Sequence, residues 1–284
     1  MPKNLQNERM WPKNPLSQAS FEEQLDLIRK EQIPAKPQFM RWRLLRGLGI
    51  EEPKAKAQNA VLLGCWALFL EPDATRNYFT LMKRLGIDYT YFDEEMCCGI
   101  GPVERAKGDE REKAERAAKE FMASNLEKVE KAGAKNAIYL CLWCAHLAKK
   151  FFPDSPIGQM HYPDILLERL SKEKLRLESP RVIGYYEGCH KRSKDWAPGV
   201  TLEWPKYRDV LHNIEGLKVV DMPDHLCCTA VPGRIIEAAQ KLSLDTIVCS
   251  CLGCQARLRY TSKSSGVRVQ YYPDLLLEAL APCP

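Results

Sequence analysis

The chain has 284 residues, 45% hydrophobic and 28% charged, which is enough apolar material for one large core or two packed halves. Its 42 Lys and Arg are interspersed with 37 Asp and Glu, so the net charge of +5 gives no argument for nucleic acid. No apolar run approaches the ~20 residues of a membrane span, and Met1-Pro2-Lys3-Asn4-Leu5 opens no apolar signal-peptide core. Twelve cysteines are therefore expected in a reducing cytoplasm, as metal ligands or redox groups rather than as disulfides.

Residues 1–57 are rich in Pro, Asn and Gln, with a helical stretch over Phe21 to Lys30 and a basic, aromatic segment, Phe39-Met40-Arg41-Trp42-Arg43-Leu44-Leu45-Arg46. Two readings of this arm stay open. It packs back on the body, or it docks on a partner, since Trp, Met and Arg are enriched at interfaces. A membrane-surface helix is a third, shorter fit.

From residue 58 the sequence runs through the same blocks twice. Asn59-Ala-Val-Leu-Leu-Gly-Cys65 matches Arg181-Val-Ile-Gly-Tyr-Tyr-Glu-Gly-Cys189. The blocks ending in Cys97-Cys98 and Cys227-Cys228 correspond, as do those ending in Cys141-Leu142-Trp143-Cys144 and Cys251-Leu252-Gly253-Cys254. His161-Tyr-Pro-Asp-Ile-Leu-Leu-Glu168 matches Tyr271-Tyr-Pro-Asp-Leu-Leu-Leu-Glu278. Four matched blocks in one order mean a duplication. The domains are an N-terminal arm at 1–57, a first cysteine-rich repeat at 58–178 and a second at 179–284.

Apolar runs at 60–64, 89–92, 136–140, 181–186, 217–221 and 244–248 have strand length and β-branched content. Helical patterns lie between them. Asp73 to Leu85 stops at Gly86, and Asp109 to Lys131 stops near Gly133. This alternation predicts an α/β fold of two pseudo-symmetric halves, each a small, mostly parallel sheet flanked by helices. The cysteines then converge at the carboxyl ends of the strands, where open α/β sheets place their sites. The two Tyr-Pro-Asp motifs read as strand-to-helix junctions, with Asp164 and Asp274 as helix N-caps.

Each repeat carries five thiols: Cys65, Cys97, Cys98, Cys141 and Cys144 in the first, and Cys189, Cys227, Cys228, Cys251 and Cys254 in the second. Soft thiolates in that number favour iron–sulfur chemistry over a four-ligand structural zinc. Zinc ribbons need no adjacent Cys-Cys. A thiol–disulfide relay through Cys141 and Cys144 alone leaves the duplicated single and paired cysteines unexplained.

The double Cys…Cys-Cys-Gly…Cys-x-x-Cys pattern, over residues 58–280, resembles the CCG-domain (cysteine-rich domain) family, which includes the B polypeptide of heterodisulfide reductase. The resemblance implies that each five-cysteine set holds a non-cubane [4Fe-4S] cluster, the two facing a common cavity where a disulfide is reduced or thiols are oxidised. It implies a cytoplasmic redox complex with a ferredoxin-like iron–sulfur subunit, a flavin-containing subunit and a small or carrier-bound disulfide. Other CCG proteins serve as electron-transfer subunits of flavoprotein dehydrogenases (succinate/fumarate, lactate or glycolate type) feeding the quinone pool, and that is the alternative.

Departures from the pattern fall in the second repeat. Thr229 follows Cys227-Cys228 where the family has Gly, as Gly99 in the first repeat, and a β-branched residue resists positive φ. Only 22 residues (229–250) separate Cys228 from Cys251, against 42 (99–140) between Cys98 and Cys141, as if a helix were trimmed. Cys249 is a further thiol that could substitute as a ligand, and Cys283 lies outside the pattern. His190 after Cys189 is a candidate catalytic proton shuttle, and Lys191 and Arg192 are candidates for holding an anionic substrate group. The bland reading is a solvated basic turn, with His190 bonded to backbone. Trp66 and Trp143 read as walls around the thiols. There is no bacterial-ferredoxin cysteine run, Gly-x-Gly-x-x-Gly or Walker loop, so electrons are expected from a partner.

Overall fold

The computed structural model describes residues 19–32, 38–188, 203–223 and 226–280. Eight strands form two four-stranded sheets. β1 (Asn59–Leu62), β2 (Tyr89–Tyr91), β3 (Asn136–Tyr139) and β4 (Gly158–His161) lie in the order β2-β1-β3-β4. β5 (Arg176–Tyr186), β6 (Glu215–Asp221), β7 (Thr246–Cys249) and β8 (Arg268–Tyr271) repeat it as β6-β5-β7-β8. Every pairing in both sheets is parallel. The α/β fold of two pseudo-symmetric halves follows directly from the duplicated sequence.

In the first half the helices are α3 (Gly64–Leu70), α4 (Pro72–Arg84), α5 (Ile100–Arg105), α6 (Asp109–Lys131), α7 (Leu142–Phe151) and α8 (Tyr162–Leu170). In the second they are α9 (Trp204–His212), α10 (Pro232–Lys241), α11 (Leu252–Thr261) and α12 (Tyr272–Ala279). The shorter spacing in the second repeat is now explained. Between Cys228 and β7 stands α10 alone, 10 residues long, where the first half has α5 and the 23-residue α6.

The edge strands β4 and β8 carried no apolar run in the sequence. Each has one neighbour, so Gly-Gln-Met-His and Arg-Val-Gln-Tyr keep polar residues among apolar ones. β5 starts five residues earlier than its apolar run, with a register shift between Arg176 and Arg181 where Pro180 interrupts the ladder. The Tyr-Pro-Asp motifs do lie at strand-to-helix junctions. The N-caps, however, are His161 and Tyr271, so Asp164 and Asp274 stand at the third helical position. From there the Asp164 carboxylate accepts from the His161 backbone N–H at 3.0 Å, which is the reciprocal half of a capping box.

The arm forms α1 (Phe21–Glu31), opened by a Ser20–Glu23 capping box, and α2 (Gln38–Gly47). Both pack on the first half. Phe21, Leu25 and Ile28 are buried with Val103, Ala114 and Phe121, while Leu45 and Leu48 enter the main core. Trp42 stays 45% exposed, with Arg46 stacked over its ring at 4.7 Å.

One hydrophobic cluster runs through both halves, and its centre is a seam of tyrosines. Tyr78 meets Tyr162 edge-on at 5.5 Å, and Tyr162 meets Tyr271 of the other half at 5.1 Å. The Tyr162 hydroxyl donates to Ser250 O at 2.9 Å, again across the seam. Both junction aspartates also reach over: Tyr207 donates to Asp164, and Asn77 donates to Asp274 at 3.0 Å. At the rim, Arg259 on α11 pairs with Glu71 at 3.0 Å.

Burial pushes the Glu71 carboxyl up to about 7 from its ordinary 4.5, and Arg259 offsets this only in part. The folded chain therefore holds this proton more tightly than the unfolded chain. Its stabilising contribution is complete below pH 4.5 and is lost as the pH rises through about 7. Thermal melts are expected to show a lower midpoint at about pH 8 than at about pH 5, and Glu71→Gln to flatten that fall. An unchanged slope in the variant would assign the pH dependence to other groups.

Candidate metal-thiolate sites

All ten described cysteines are free thiols, and they lie at or just beyond the carboxyl ends of the strands. Cys65 sits in the first turn of α3, immediately after β1. Cys97 and Cys98 end the irregular segment that follows β2. Cys141 is the N-cap of α7 and Cys144 lies in its first turn. The Cys-x-x-Cys spacing thus puts two sulfurs on one helical N-terminus, where the backbone N–H groups favour thiolate.

The five thiols of the first repeat form one continuous string of contacts. Cys65 Sγ lies 3.6 Å from Cys97 Sγ, and the thiols of Cys97 and Cys98, Cys98 and Cys144, and Cys144 and Cys141 interact in turn. Four of the five are buried, and Cys141 is half-buried. Hydrogen bonds from Cys65 and Cys98 hold the Cys97 thiol well below its ordinary range. Its partners move the other way. Cys65 is pushed up by its bond to Cys97 and by burial, and Cys144 by Cys141, Cys98 and burial. Cys98 also ends raised: the lowering bond with Cys144 is outweighed by Cys97 and burial together.

Glycines let the backbone close on these thiols. Gly64 has φ +73°, and a Cβ there would stand 3.2 Å from Cys141 Cβ and 3.4 Å from Cys144 Sγ. Gly188, just before Cys189, repeats this with φ +83° and a Cβ position 3.3 Å from Cys254 Sγ. Gly99 (φ +78°) turns the chain into α5 so tightly that a Cβ would meet Ala118 Cβ at 3.0 Å. Thr229, its counterpart, is not among the positive-φ residues, so the second turn takes a different path rather than a strained copy of the first.

In the second half Cys251 caps α11 with φ −96° and ψ 124°, close to the −89° and 126° of Cys141. Cys228 Sγ lies 3.3 Å from Cys254 Sγ, and the Cys254 thiol also interacts with that of Cys251. The Cys228 thiol is lowered by its bond with Cys254, with Thr229 and Arg257 acting in the same direction. Cys227 is half-buried in the same loop. Cys249 is fully buried at the end of β7, close enough to Cys228 and Cys251 for both to raise it beyond what burial does. Cys189, His190, Lys191, Arg192 and Cys283 lie outside the described residues. Trp143 is half-buried beside His146, with ring centroids 6.1 Å apart; the side chain of Trp66 is outside the described part. Helix α3, carrying Cys65, packs against α11, carrying Cys254, so the two sets stand on neighbouring elements.

Among the described residues, no three His, Cys, Asp or Glu side chains gather around one point as a single metal ion would require. The donor set does fit an iron–sulfur cluster: soft, adjacent, mostly buried thiols with glycine backbone close against them. Sequence reasoning missed two residues here. Arg41 and Glu95, both buried, form an ion pair at 2.6 Å behind the first set. The only sequence signal for Glu95 was its place two residues before Cys97.

Residues 59–147 match the family model described as cysteine-rich domain, CCG. The matched stretch contains Cys65, Cys97, Cys98, Cys141 and Cys144, all five thiols of the first repeat. Among curated relatives, the D polypeptide of dihydromethanophenazine:CoB–CoM heterodisulfide reductase from Methanosarcina acetivorans is 26% identical over 213 residues, covering 67% of this chain and 50% of that one. The B polypeptide of fumarate reductase (CoM/CoB) from Methanothermobacter marburgensis is 22% identical over 221 residues, 72% of this chain and 42% of that one. The C polypeptide of anaerobic glycerol-3-phosphate dehydrogenase from Escherichia coli is 22% identical over 272 residues, 86% and 64%. The chain thus spans about half the length of the heterodisulfide reductase polypeptide. No helix among the described residues is long and apolar enough to cross a membrane.

The CCG turn gives a direct test. Gly99→Thr, which copies the second half, is expected to cost about 1–3 kcal/mol from the left-handed backbone alone, with the Ala118 overlap adding to it. Thr229→Gly is expected to stay within about 1 kcal/mol. Urea midpoints of the two variants check the asymmetry.

Proposed function

We propose that the chain is the iron–sulfur subunit of a heterodisulfide-reductase-like redox complex. The observation that carries this is the repeated thiol set, with all five members of the first set strung together at the strand ends and the second built on the same sheet topology. Cys65, Cys97, Cys98, Cys141 and Cys144 would hold one cluster, and Cys189, Cys227, Cys228, Cys251 and Cys254 another, each of the non-cubane [4Fe-4S] kind. Bound there, such clusters supply one-electron transfers to or from a disulfide.

The chain's own residues supply the setting. The α7 and α11 N-termini each hold a Cys-x-x-Cys pair, and the apolar clusters around them keep water from the buried sulfurs. Cleaving a disulfide to two thiols takes two protons as well as two electrons. His190 would carry a proton, and Lys191 or Arg192 would hold a substrate anion, a reading that rests on their place directly after Cys189. A ferredoxin-like and a flavin-containing subunit would feed the electrons in a cytoplasmic complex. The second reading is a non-catalytic electron-transfer subunit of a flavoprotein dehydrogenase. It is favoured by the match to the glycerol-3-phosphate dehydrogenase polypeptide, which covers 86% of this chain.

Iron and acid-labile sulfide on anaerobically prepared protein are expected at about eight each per chain, and Cys98→Ala at about half of that. Zinc without iron would overturn the proposal. Full iron in Cys98→Ala would overturn the five-thiol assignment. Turnover of a disulfide by the loaded complex separates the first reading from the second.

A further inference from the structure

The stretch from Phe92 to Cys98 belongs to no helix or strand, yet Glu95, Cys97 and Cys98 are all at most 3% exposed. Irregular backbone in the interior needs a partner for every polar group. Here the partners come from several elements, and two belong to the N-terminal arm. The Cys97 N–H donates to Gln32 O, at the carboxyl end of α1, at 2.6 Å. Arg41 on α2 donates to Phe92 O from Nε at 3.4 Å and Nη2 at 3.3 Å, to Gly64 O from Nη1 at 3.4 Å, and to Glu95 Oε2 at 2.6 Å. The same Glu95 carboxylate accepts from the N–H groups of Leu63 at 2.9 Å and Gly64 at 2.7 Å, which begin α3. Asn125 of α6 holds the Met96 N–H and C=O at 2.8 Å each.

A single buried guanidinium therefore touches both segments that deliver Cys65 and Cys97, whose sulfurs meet at 3.6 Å. A planar fork of five donors can span Gly64 O, Phe92 O and Glu95 at once, and a lysine ammonium cannot. We propose that Arg41 and Glu95 are positioning residues for the first thiol set, and that the N-terminal arm is thereby an integral part of that site.

Among the described residues, the corresponding part of the second half takes partners from its own elements. Glu187, directly before Gly188-Cys189, pairs with Arg208 of α9 at 3.0 Å, and Leu226 O, the counterpart of Met96 O, accepts from the Tyr186 hydroxyl at 2.6 Å. Removing Arg41 should therefore disturb one set and spare the other, an internal control that a general stabilising role would not satisfy. The inference rests on the thiol geometry and holds whatever metal the thiols take.

The test is pulsed alkylation with iodoacetamide on the full, reduced, metal-stripped chain, read cysteine by cysteine through mass spectrometry. In Arg41→Gln, labelling of Cys65 and Cys97 is expected to rise on the order of a hundredfold, because Glu95 is left charged and unpaired. Cys249 and Cys254 are expected to keep the parent rate. Arg41→Lys should fall between, and Arg41→Gln with Glu95→Gln should recover part of the protection. Unchanged labelling of Cys65 and Cys97 overturns the proposal, and so does an equal rise at Cys249, which would make the pair a general stabiliser. After iron loading, Arg41→Gln should lose the iron of one set and retain the other. If the parent chain takes no iron, the proposed function fails while the alkylation result still decides this inference.

Discussion

The two halves of this protein are held together helix on helix around a buried seam of tyrosines. A parallel sheet must be covered on both faces, and here helices of one half pack on helices of the other. Helix α4 packs on α12, α8 on α9 and α3 on α11. The filling is aromatic and polar at once: Tyr78, Tyr162, Tyr271 and Tyr272 are fully buried, so hydroxyls as well as rings must find places. Tyr162 and Tyr272 use backbone carbonyls, at Ser250 O and Tyr207 O. Because Ser250 lies between Cys249 and Cys251, the seam also fixes the loop that carries the second Cys-x-x-Cys.

The duplicated halves have diverged most around their thiols. Aligned on the Cys-x-x-Cys helices, Tyr139 faces Cys249 across the pseudo-symmetry, and the buried Leu147 faces Arg257, whose charge reaches Cys227 and Cys228. Thr229 replaces Gly99 and changes the turn. Arg257 thus brings the second Cys-x-x-Cys helix a charge that Leu147 does not bring the first. A positive charge beside a cluster favours its reduced, more negative state, so two sets on one fold need not share one potential.

Most of the fold was legible because the duplication printed each signal twice. The Gly-Cys after an apolar run, the adjacent cysteines and the Tyr-Pro-Asp junction all recur in order, and two weak cues at matched positions are stronger than one. The edge strands β4 and β8 were missed because a strand with a single neighbour need not be apolar. Asp164 and Asp274 were placed at the right junctions but in the wrong cap position, since the choice between N-cap and third residue depends on where the strand's extended backbone ends. Arg41 and Glu95 were illegible for a different reason. Their meeting spans 54 positions, and no periodicity marks a pair of charges that will be buried together.

Helix order along the chain has a consequence for synthesis. A ribosome releases the arm before the first half, and residues 176–280 only on the order of ten seconds after that. During that interval Tyr78 and Tyr162 have no second half to rest against, and the seam is open to water and to other nascent chains. The first thiol set does not wait for the second half, because α1 and α2, already made, supply Gln32 O and Arg41 to its loop. The protein is thus built in an order that supplies the first thiol set with its buried partners before its hydrophobic centre is closed.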